Sequence, residues 1–396
     1  MIIDHDLIII GGGCAGLSLG MRVAKLGKSC PRTLILERRT HYTNDRSWCF
    51  WGDGSPMLRS LVSHSWDSMT VQTDSHSITV NCGQFPYRVI PADVFYSEAV
   101  ETIRRNPRVQ LVHGTNLAAA PVKSNGKWHI DTGTLSLSAK IIVDTRPDAP
   151  PRLGGAMLWQ SFYGQEIECD QPVFDPARID LMDFSRDIGS SKRIRFTYVL
   201  PTTTRRALVE VTVISPEPFH RHELATELSI ALGRHTKGSS FKVVRSENGV
   251  LPMGLSRERG ASDPTYIRAG LPGGAARPST GYAFQRIQRW ADLCAARINA
   301  GKAPAAHPSD PMVLRALDHL FLSVLRSRPE RAPSLFLSIF EKTSTPRMIR
   351  FLSDRATALD YASVAWALPF LLFIQEIPRA LSTATRPAQT QHSLSA

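Results

Sequence analysis

The first apolar run, Leu7-Ile8-Ile9-Ile10, stops abruptly on Gly11-Gly12-Gly13. An unbroken apolar run closed by glycine predicts a strand buried on both faces, as in a parallel sheet. Leu17 to Leu26 then follows helical spacing, and Thr33-Leu34-Ile35-Leu36 predicts a second buried strand. Pro91 to Arg105 predicts a helix with Ala92, Phe95, Ala99 and Ile103 near one side. Val109–Val112 is strand-like, Lys127–Ile130 pairs with Leu135–Leu137 as a hairpin, and Lys140–Asp144 is a further buried strand ending on an acid.

Elsewhere the period changes to two. Residues 66–82 alternate like short antiparallel strands, and 158–213 alternates between breaks at Pro172, Pro176 and Gly189. Arg193–Leu200 and Ala207–Ile214 form a hairpin through Pro201-Thr202-Thr203-Thr204. A helix over Arg221–Leu232, a strand near Phe241–Arg245 and a strand at Thr265–Ala269 follow. Glycine- and proline-rich Gly270–Gly281 then leads into a helix over Tyr282–Arg297. Residues 311–376 are helical throughout, with an apolar stripe of Val313, Leu317, Leu320 and Val324. Thr345 before Pro346 is an N-cap with a first-turn proline. From about Ser382 the tail is polar and reads as disordered, and no internal repeat is present.

The glycines carry the first chemistry. Gly11-x-Gly13-x-x-Gly16 lies between a strand and a helix, where the backbone turns tightly and a pyrophosphate meets the helix N-terminus. Cys14 and Ala15, between these glycines, join the same cofactor-binding set. Glu37 ends the second strand 21 residues after Gly16, placed to accept from a ribose hydroxyl. The pattern predicts an adenine dinucleotide site. Nucleotide-binding pieces interrupted by an antiparallel sheet favour FAD over NAD as the tightly held cofactor.

The expected fold is α/β: a Rossmann-like FAD-binding domain with an inserted antiparallel β-sheet substrate domain and a C-terminal helical segment, as in flavoprotein monooxygenases. The FAD-binding domain is discontinuous, over residues 1–65, 86–155 and 249–300. The substrate domain takes 66–85 and 156–248, the helical region 301–380 and the disordered tail 381–396.

Composition narrows the partners. A net charge of +12 with a pI near 9.7 favours anionic surfaces. No nucleic-acid-binding motif stands out, so a membrane surface is the expected partner and nucleic acid is not. No stretch reaches the ~18–20 apolar residues that span a bilayer. The longest, Tyr361–Ile374, contains Pro369 and reads equally as a core helix or an interfacial dip. With no secretory signal at the N-terminus and six scattered cysteines, a reducing cytoplasm is expected. His64, His113 and His129 lack metal-ligand spacing, so no metal is expected.

Six segments together carry a resemblance: Arg46-Ser47-Trp48-Cys49-Phe50-Trp51, Phe162-Tyr163-Gly164-Gln165-Glu166, Val209-Glu210-Val211-Thr212, Gly249-Val250-Leu251-Pro252-Met253, Arg268-Ala269-Gly270 through Pro278-Ser279-Thr280-Gly281-Tyr282, and Pro346–Phe351. In order and spacing, from residue 6 to about 376, the chain resembles bacterial lycopene beta-cyclases. The resemblance implies closure of the ψ-ends of lycopene to β-rings, through γ-carotene to β-carotene, without net redox change. It also implies reduced FAD replenished from NAD(P)H and peripheral attachment to the cytoplasmic face of the inner membrane. Three departures stand out: Thr145-Arg146-Pro147 after Asp144, Val211 where relatives carry Asp, and Ala365-Trp366-Ala367-Leu368-Pro369 near the C-terminus.

Protonating an unactivated alkene requires a carboxylic acid kept neutral in a dry setting. Glu210 shares its strand face with Leu208, Thr212 and Ile214. Alternation alone favours a solvent-facing glutamate; the resemblance reverses this and marks Glu210 as the catalytic acid. Arg46, Trp48, Phe50 and Trp51 form a cationic and aromatic cluster, Arg46 on the cofactor side and the rings either holding the polyene or plugging the space under the flavin. Gly270, Thr280, Gly281 and Tyr282 lead into a helix whose approach presents backbone N–H groups to the flavin, or serves as a plain capping loop. Asp144 closes the FAD site or simply ends its strand. Two rivals use the same scaffold: an FAD- and NAD(P)H-dependent hydroxylase or isoprenoid reductase, and a carotenoid-binding protein without turnover. Arg268-Ala269-Gly270 stands where redox relatives have Gly-Asp-Ala, which favours the cyclase.

Overall fold

A computed structural model describes residues 3–52, 54–147, 157–185, 193–254 and 263–384. In chain order, β1 (Ile3–Ile10), α1 (Cys14–Ala24), β2 (Thr33–Leu36), β3 (Ser47–Trp51), α2 (Pro56–Arg59) and β4 (His64–Trp66) come first. Next are β5 (Ser68–Gln72), β6 (Ser77–Asn81), β7 (Tyr87–Pro91), α3 (Ala92–Arg104), β8 (Val109–Val112), β9 (Val122–Ser124), β10 (Lys127–Asp131) and β11 (Ser136–Asp144). The middle holds β12 (Leu158–Cys169), β13 (Arg178–Asp183), β14 (Ile194–Pro201), β15 (Arg206–Ser215), α4 (Arg221–His235), β16 (Phe241–Met253) and β17 (Tyr266–Arg268). Helices α5 (Phe284–Asn299), α6 (Met312–Ser327), α7 (Ala332–Lys342), α8 (Thr345–Leu352), α9 (Ala358–Ala367) and α10 (Phe370–Ala384) complete the chain.

The chain forms two compact units. The first comprises Met1–Asn44, Ala92–Arg152 and Ser256–Asp310. Its sheet runs β8-β2-β1-β11-β10-β9, with β17 also on β11; β8, β2, β1, β11 and β17 are parallel. Leu7 to Ile10 are buried, as an apolar run flanked by strands requires. Helix α1 locks onto α5 through buried Arg22, which donates Nε to Asp292 at 2.5 Å and Nη1 to Gln288 at 3.1 Å.

The second unit comprises Asp45–Pro91, Leu153–Leu255 and Pro311–Ala396. Its main sheet runs β16-β12-β15-β14-β13-β5-β6, and a smaller one runs β3-β7-β4. Residues 45–65, 86–91 and 249–254, expected with the nucleotide-binding pieces, belong here because β3 and β4 both pair with β7 and β16 pairs with β12 as far as Met253. Residues 301–310, expected with the helices, belong to the first unit: Trp290 donates to Ala305 O at 2.7 Å, and Arg286 pairs with Asp310.

One face of the main sheet is apolar. Tyr163, Ile167, Val199, Val209, Val211 and Val213 pack under Leu224, Leu228, Ala231 and Leu232 of α4. The C-terminal helices differ from expectation in two details. The buried face of α6 runs through Leu314, Asp318, Leu322 and Leu325, while Val313 is exposed. Ser344 rather than Thr345 is the N-cap of α8. Glu376 of α10 is buried on α6, accepting from Ser323 Oγ at 2.7 Å and Ser327 Oγ at 2.9 Å. The expected polar tail begins inside α10; residues 385–396 lie outside the described residues.

Candidate functional site

The glycine turn does what its spacing requires. Gly11 has φ +100°, and a Cβ there would meet Thr145 Oγ1 at 2.6 Å; a Cβ on Gly16 would run into the Gly11 carbonyl oxygen. Gly13 differs: a Cβ there finds no atom within 4 Å, and Gly13 is the N-cap of α1 without a side-chain cap. Two glycines are thus fixed by packing and the third opens onto space beside a helix N-terminus, where an anionic phosphate is stabilised.

Glu37 lies at the end of β2 as the spacing demands, and is buried. Its Oε2 accepts from Gly12 N at 2.7 Å, and its Oε1 accepts from Arg39 N at 2.8 Å and Nε at 2.9 Å. Burial pushes the carboxyl up, but the Arg39 and Gly12 donors outweigh it and hold Glu37 ionised below the usual carboxylate range. Tyr42 donates to Gly12 O at 2.8 Å and stacks on Tyr96 with centroids 4.3 Å apart. The Arg39 guanidinium lies 4.8 Å from the Tyr42 ring and 5.1 Å from that of Tyr96. This cluster escaped the sequence reading, although Arg39 and Tyr42 follow Glu37 closely.

Asp144 pairs in register with Ile10 and is buried, with Tyr266 donating at 2.6 Å and Arg146 and Arg268 each at 2.9 Å. Burial opposes its charge; the Arg146 and Tyr266 bonds restore it and keep the carboxyl below its usual range. Its oxygens serve an internal ion-pair hub around Arg146, the residue before the departing Pro147. Gly270, at φ +70°, approaches Ala15, with a Cβ there 3.2 Å from the Ala15 Cβ, and donates its N–H to His307 at 3.0 Å. Gly281 N and Thr280 N donate to Arg277 O at 2.9 and 3.3 Å, and Tyr282 N to Thr280 Oγ1 at 3.3 Å. These amides form a tight turn ahead of α5, which starts at Phe284 rather than Tyr282.

The second constellation lies on the main-sheet face opposite α4. Tyr198 on β14 pairs with Glu210 on β15, Glu210 pairs with Gly164 on β12, and Gly164 pairs with Glu247 on β16. Paired residues project to the same side, so these four form one row across the sheet. Phe196, Thr212, Phe162 and Gly249 form the adjacent row. Glu210 keeps some accessible surface, yet its carboxyl is crowded by protein, with Thr212 Oγ1 donating to it at 3.3 Å. Burial, reinforced by the Glu247 charge, pushes Glu210 well above the usual carboxylate range, which favours its protonated form. The inward reading of Glu210 therefore describes the structure, and the solvent-facing one does not.

Glu247 is buried and held from one side, its Oε2 accepting from Ser47 Oγ at 2.9 Å and Arg245 Nη1 at 2.5 Å. Arg245 also pairs with Glu166. Val211 faces the α4 core, so a second carboxylate could not join Glu210 from that position. The neighbouring acid comes instead from β16, 37 residues further on.

The aromatic cluster divides between the faces of β3. Cys49 and Trp51 lie on the side of Tyr198 and Tyr87: Tyr198 O–H donates to Tyr87 at 2.8 Å, and Trp51 packs on Tyr87 with centroids 4.7 Å apart. Phe50 has no exposure and packs beside Gly54, while Trp48 is half-buried. Arg46 lies beside Gly249 and Phe162, its Nη1 3.5 Å from where a Gly249 Cβ would sit.

Comparison with known proteins places these features in a family. The profile described as "Lycopene cyclase protein" matches residues 6–376. The chloroplastic lycopene beta cyclase of Nicotiana tabacum is 22% identical over 311 residues, covering 74% of this chain and 60% of that protein. The chloroplastic neoxanthin synthase of Solanum tuberosum is 25% identical over 327 residues, covering 75% of this chain and 61% of that protein. The chain thus spans about three fifths of the length of these relatives. In structure it is similar to the flavin-dependent brominase Bmp2, with a TM-score of 0.62, 13% identity, and coverage of 96% and 100% of the two chains. The fold is that of the monooxygenase-like flavoproteins, as the alternation of sheets predicted. The chain belongs to the lycopene cyclase family.

Proposed function

We propose that this protein is a lycopene beta-cyclase of the bacterial type, closing the ψ-ends of lycopene to β-rings through γ-carotene with Glu210 as the initiating acid. The observation that carries this reading is a carboxyl, Glu210, crowded onto a sheet face bordered by Phe162, Phe196 and Tyr198, where burial favours its protonated form. The proton of Glu210 adds to the terminal double bond, and the next double bond attacks the tertiary cation to close the ring. A ring proton then leaves, so no electrons are gained or lost. Aromatic faces lower the cost of the transient positive charge, and Thr212 orients the carboxyl through its hydroxyl.

FAD is the cofactor this reading requires, and the residues fit it. The open side of Gly13 and the N-terminus of α1 suit a pyrophosphate, Glu37 is ionised and so able to accept from a ribose, and Arg39 with Tyr42 and Tyr96 borders them. When bound and reduced at the expense of NAD(P)H, FAD supplies an electron-rich ring that stabilises cationic charge. Pigment extraction from lycopene-accumulating bacteria expressing this chain is expected to yield γ- and β-carotene. With purified protein, NAD(P)H consumption is expected to fall far below product formed. Consumption in proportion to product, with hydroxylated or saturated carotenoid, would establish the redox alternative.

The substrate dissolves in lipid, and a peripheral seat on the cytoplasmic membrane surface follows. No single helix among the described residues is long and apolar enough to cross a membrane; α9 and α10 meet at a 104° bend. The break falls at Leu368-Pro369, because the residue before proline is biased out of the helical region. Trp366 is 90% exposed, and Phe370 and Leu371 are each 73% exposed. Exposed arginines, Arg347, Arg355 and Arg379, occur in the same helical region. A triple change of Trp366, Phe370 and Leu371 to Ser is expected to release the protein from anionic vesicles in a flotation assay, at least tenfold. Its thermal unfolding temperature is expected to be unchanged. Undiminished vesicle binding would rule these side chains out as the anchor.

A further inference from the structure

We propose that Glu247 is a positioning residue for the Glu210 acid: across the gap left by the missing side chain of Gly164, it accepts the Glu210 proton in a hydrogen bond and keeps that carboxyl loaded. The proposal rests on Glu210 being the initiating acid.

The geometry comes from strand register. Glu210 and Glu247 flank the same residue of the intervening strand, so their backbones lie roughly 10 Å apart, two strand spacings. A side chain between them would part them. At Gly164 a Cβ would lie 2.9 Å from the Glu210 Cβ and 3.2 Å from its Cγ, so the Glu210 side chain occupies that space. The Glu247 carboxyl, on the same side of the sheet, is close enough to raise the proton affinity of Glu210.

The partners make the pair asymmetric. Ser47 and Arg245 both donate to Oε2 of Glu247, which fixes it as the anion. Among the described residues no cation hydrogen-bonds to Glu210, only the Thr212 hydroxyl, so it carries the proton. Two carboxylates at this separation in a dry site cannot both stay ionised. Once Glu210 has given its proton to the alkene, the pair bears two negative charges and draws back the proton lost from the ring. Each ring closure thus returns the pair to its starting state with no external acid or base.

The charged and titratable groups facing Glu210 are Glu247 and Arg245 of β16, Glu166 of β12, Tyr198 of β14, Cys49 of β3, Tyr87 of β7, and Arg46 just before β3. Burial pushes the Cys49 thiol up to about 12 and the Tyr198 hydroxyl well above its usual range. Neither changes charge near neutrality, so a titration there reports the carboxyl pair.

The test is infrared titration of the protonated-carboxyl C=O band in the purified full chain, with Glu210→Gln as the blank. This readout does not depend on turnover. A band removed by Glu210→Gln is expected to persist at neutral pH in the wild type. In Glu247→Gln its midpoint is expected to fall by at least about one pH unit, a tenfold loss of proton affinity, because an anion is lost and Arg245 is freed toward Glu210. Glu247→Asp keeps the charge and is expected to restore part of the shift; it also serves as the test variant if Glu247→Gln does not fold, with a midpoint below wild type. The alkaline limb of the rate profile is expected to move by the same amount. A Glu210 band that titrates as in wild type in the folded Glu247 variants overturns the role of Glu247 and leaves Glu210 as the acid. Absence of any Glu210 band at neutral pH overturns the acid assignment itself.

Discussion

Replacing Glu210 by Gln is expected to lower ring closure by about a thousandfold or more, the usual contribution of a general acid, and also to stabilise the fold at neutral and alkaline pH. Gln keeps the shape and an acceptor for Thr212 but has no proton to give. The stability effect follows from linkage. The folded carboxyl holds its proton above the ordinary value of 4.5 while the unfolded one releases it there. Between those two values the native state binds more protons than the unfolded state, so wild-type stability falls as pH rises. Gln has no such term. The difference in unfolding temperature between mutant and wild type is therefore expected to be near zero at about pH 4 and to grow as pH rises above it. Calorimetry across pH checks this. A mutant less stable than wild type throughout would mean that the carboxyl is ionised and well paired, and the acid assignment would fail.

Gly16→Ala and Gly13→Ala are expected to part company. At Gly16 the new methyl meets the carbonyl of Gly11, and that segment has little room to yield: Gly11 N is bonded to Leu36 O at 2.8 Å and Thr145 N to Ile10 O at 2.8 Å. Helix α1 must move instead. Overpacking of this kind costs ~1–3 kcal/mol, which lowers the unfolding temperature by about 2–12 °C in a unit of this size and removes bound flavin. At Gly13 the methyl meets nothing of the protein. The flavin-free unfolding temperature is therefore expected to stay at the wild-type value, while flavin affinity falls because the methyl occupies the approach to the helix N-terminus. Flavin absorbance together with thermal unfolding of the flavin-free proteins reads both effects. Full flavin occupancy in Gly13→Ala with wild-type affinity would remove this turn as the phosphate site.

What the sequence disclosed was local in origin. The glycine turn, β1, β2 and α3 follow from short-range periodicity and backbone sterics, and they appear where expected. The hairpin of β14 and β15 follows from its turn residues and alternation. Assignment of 45–65 and 86–91 depended on which strand pairs with β7, a choice no local pattern encodes. The same limit hid Glu247: only the register of β12 on both its neighbours brings it to Glu210, and the residue that permits the meeting is a glycine. The partners of Asp144 were equally non-local, since Tyr266 and Arg268 are far along the chain. On α6, the apolar residues exceeded what one face buries, so of the expected stripe Val324 is buried, Leu317 and Leu320 are half-buried and Val313 is exposed.

The two faces of β15 constrain how this chain can change in length. Val209, Val211 and Val213 are committed to α4, and Leu208, Glu210 and Thr212 to the opposite face. Losing or gaining one residue within the strand would exchange the two sets at once, driving the carboxyl into the apolar layer and a valine into the row with Tyr198. The exposed turn at Thr203 to Arg205 lies beyond the last paired residues of β12 and β15; its carbonyls at Thr204 and Arg205 accept from Val173, Phe174 and Cys169, but its side chains belong to neither face. Insertions are therefore admissible at that turn and excluded a few residues later, which makes the spacing from Ala207 to Thr212 a stricter signature of this chemistry than the length of any loop around it.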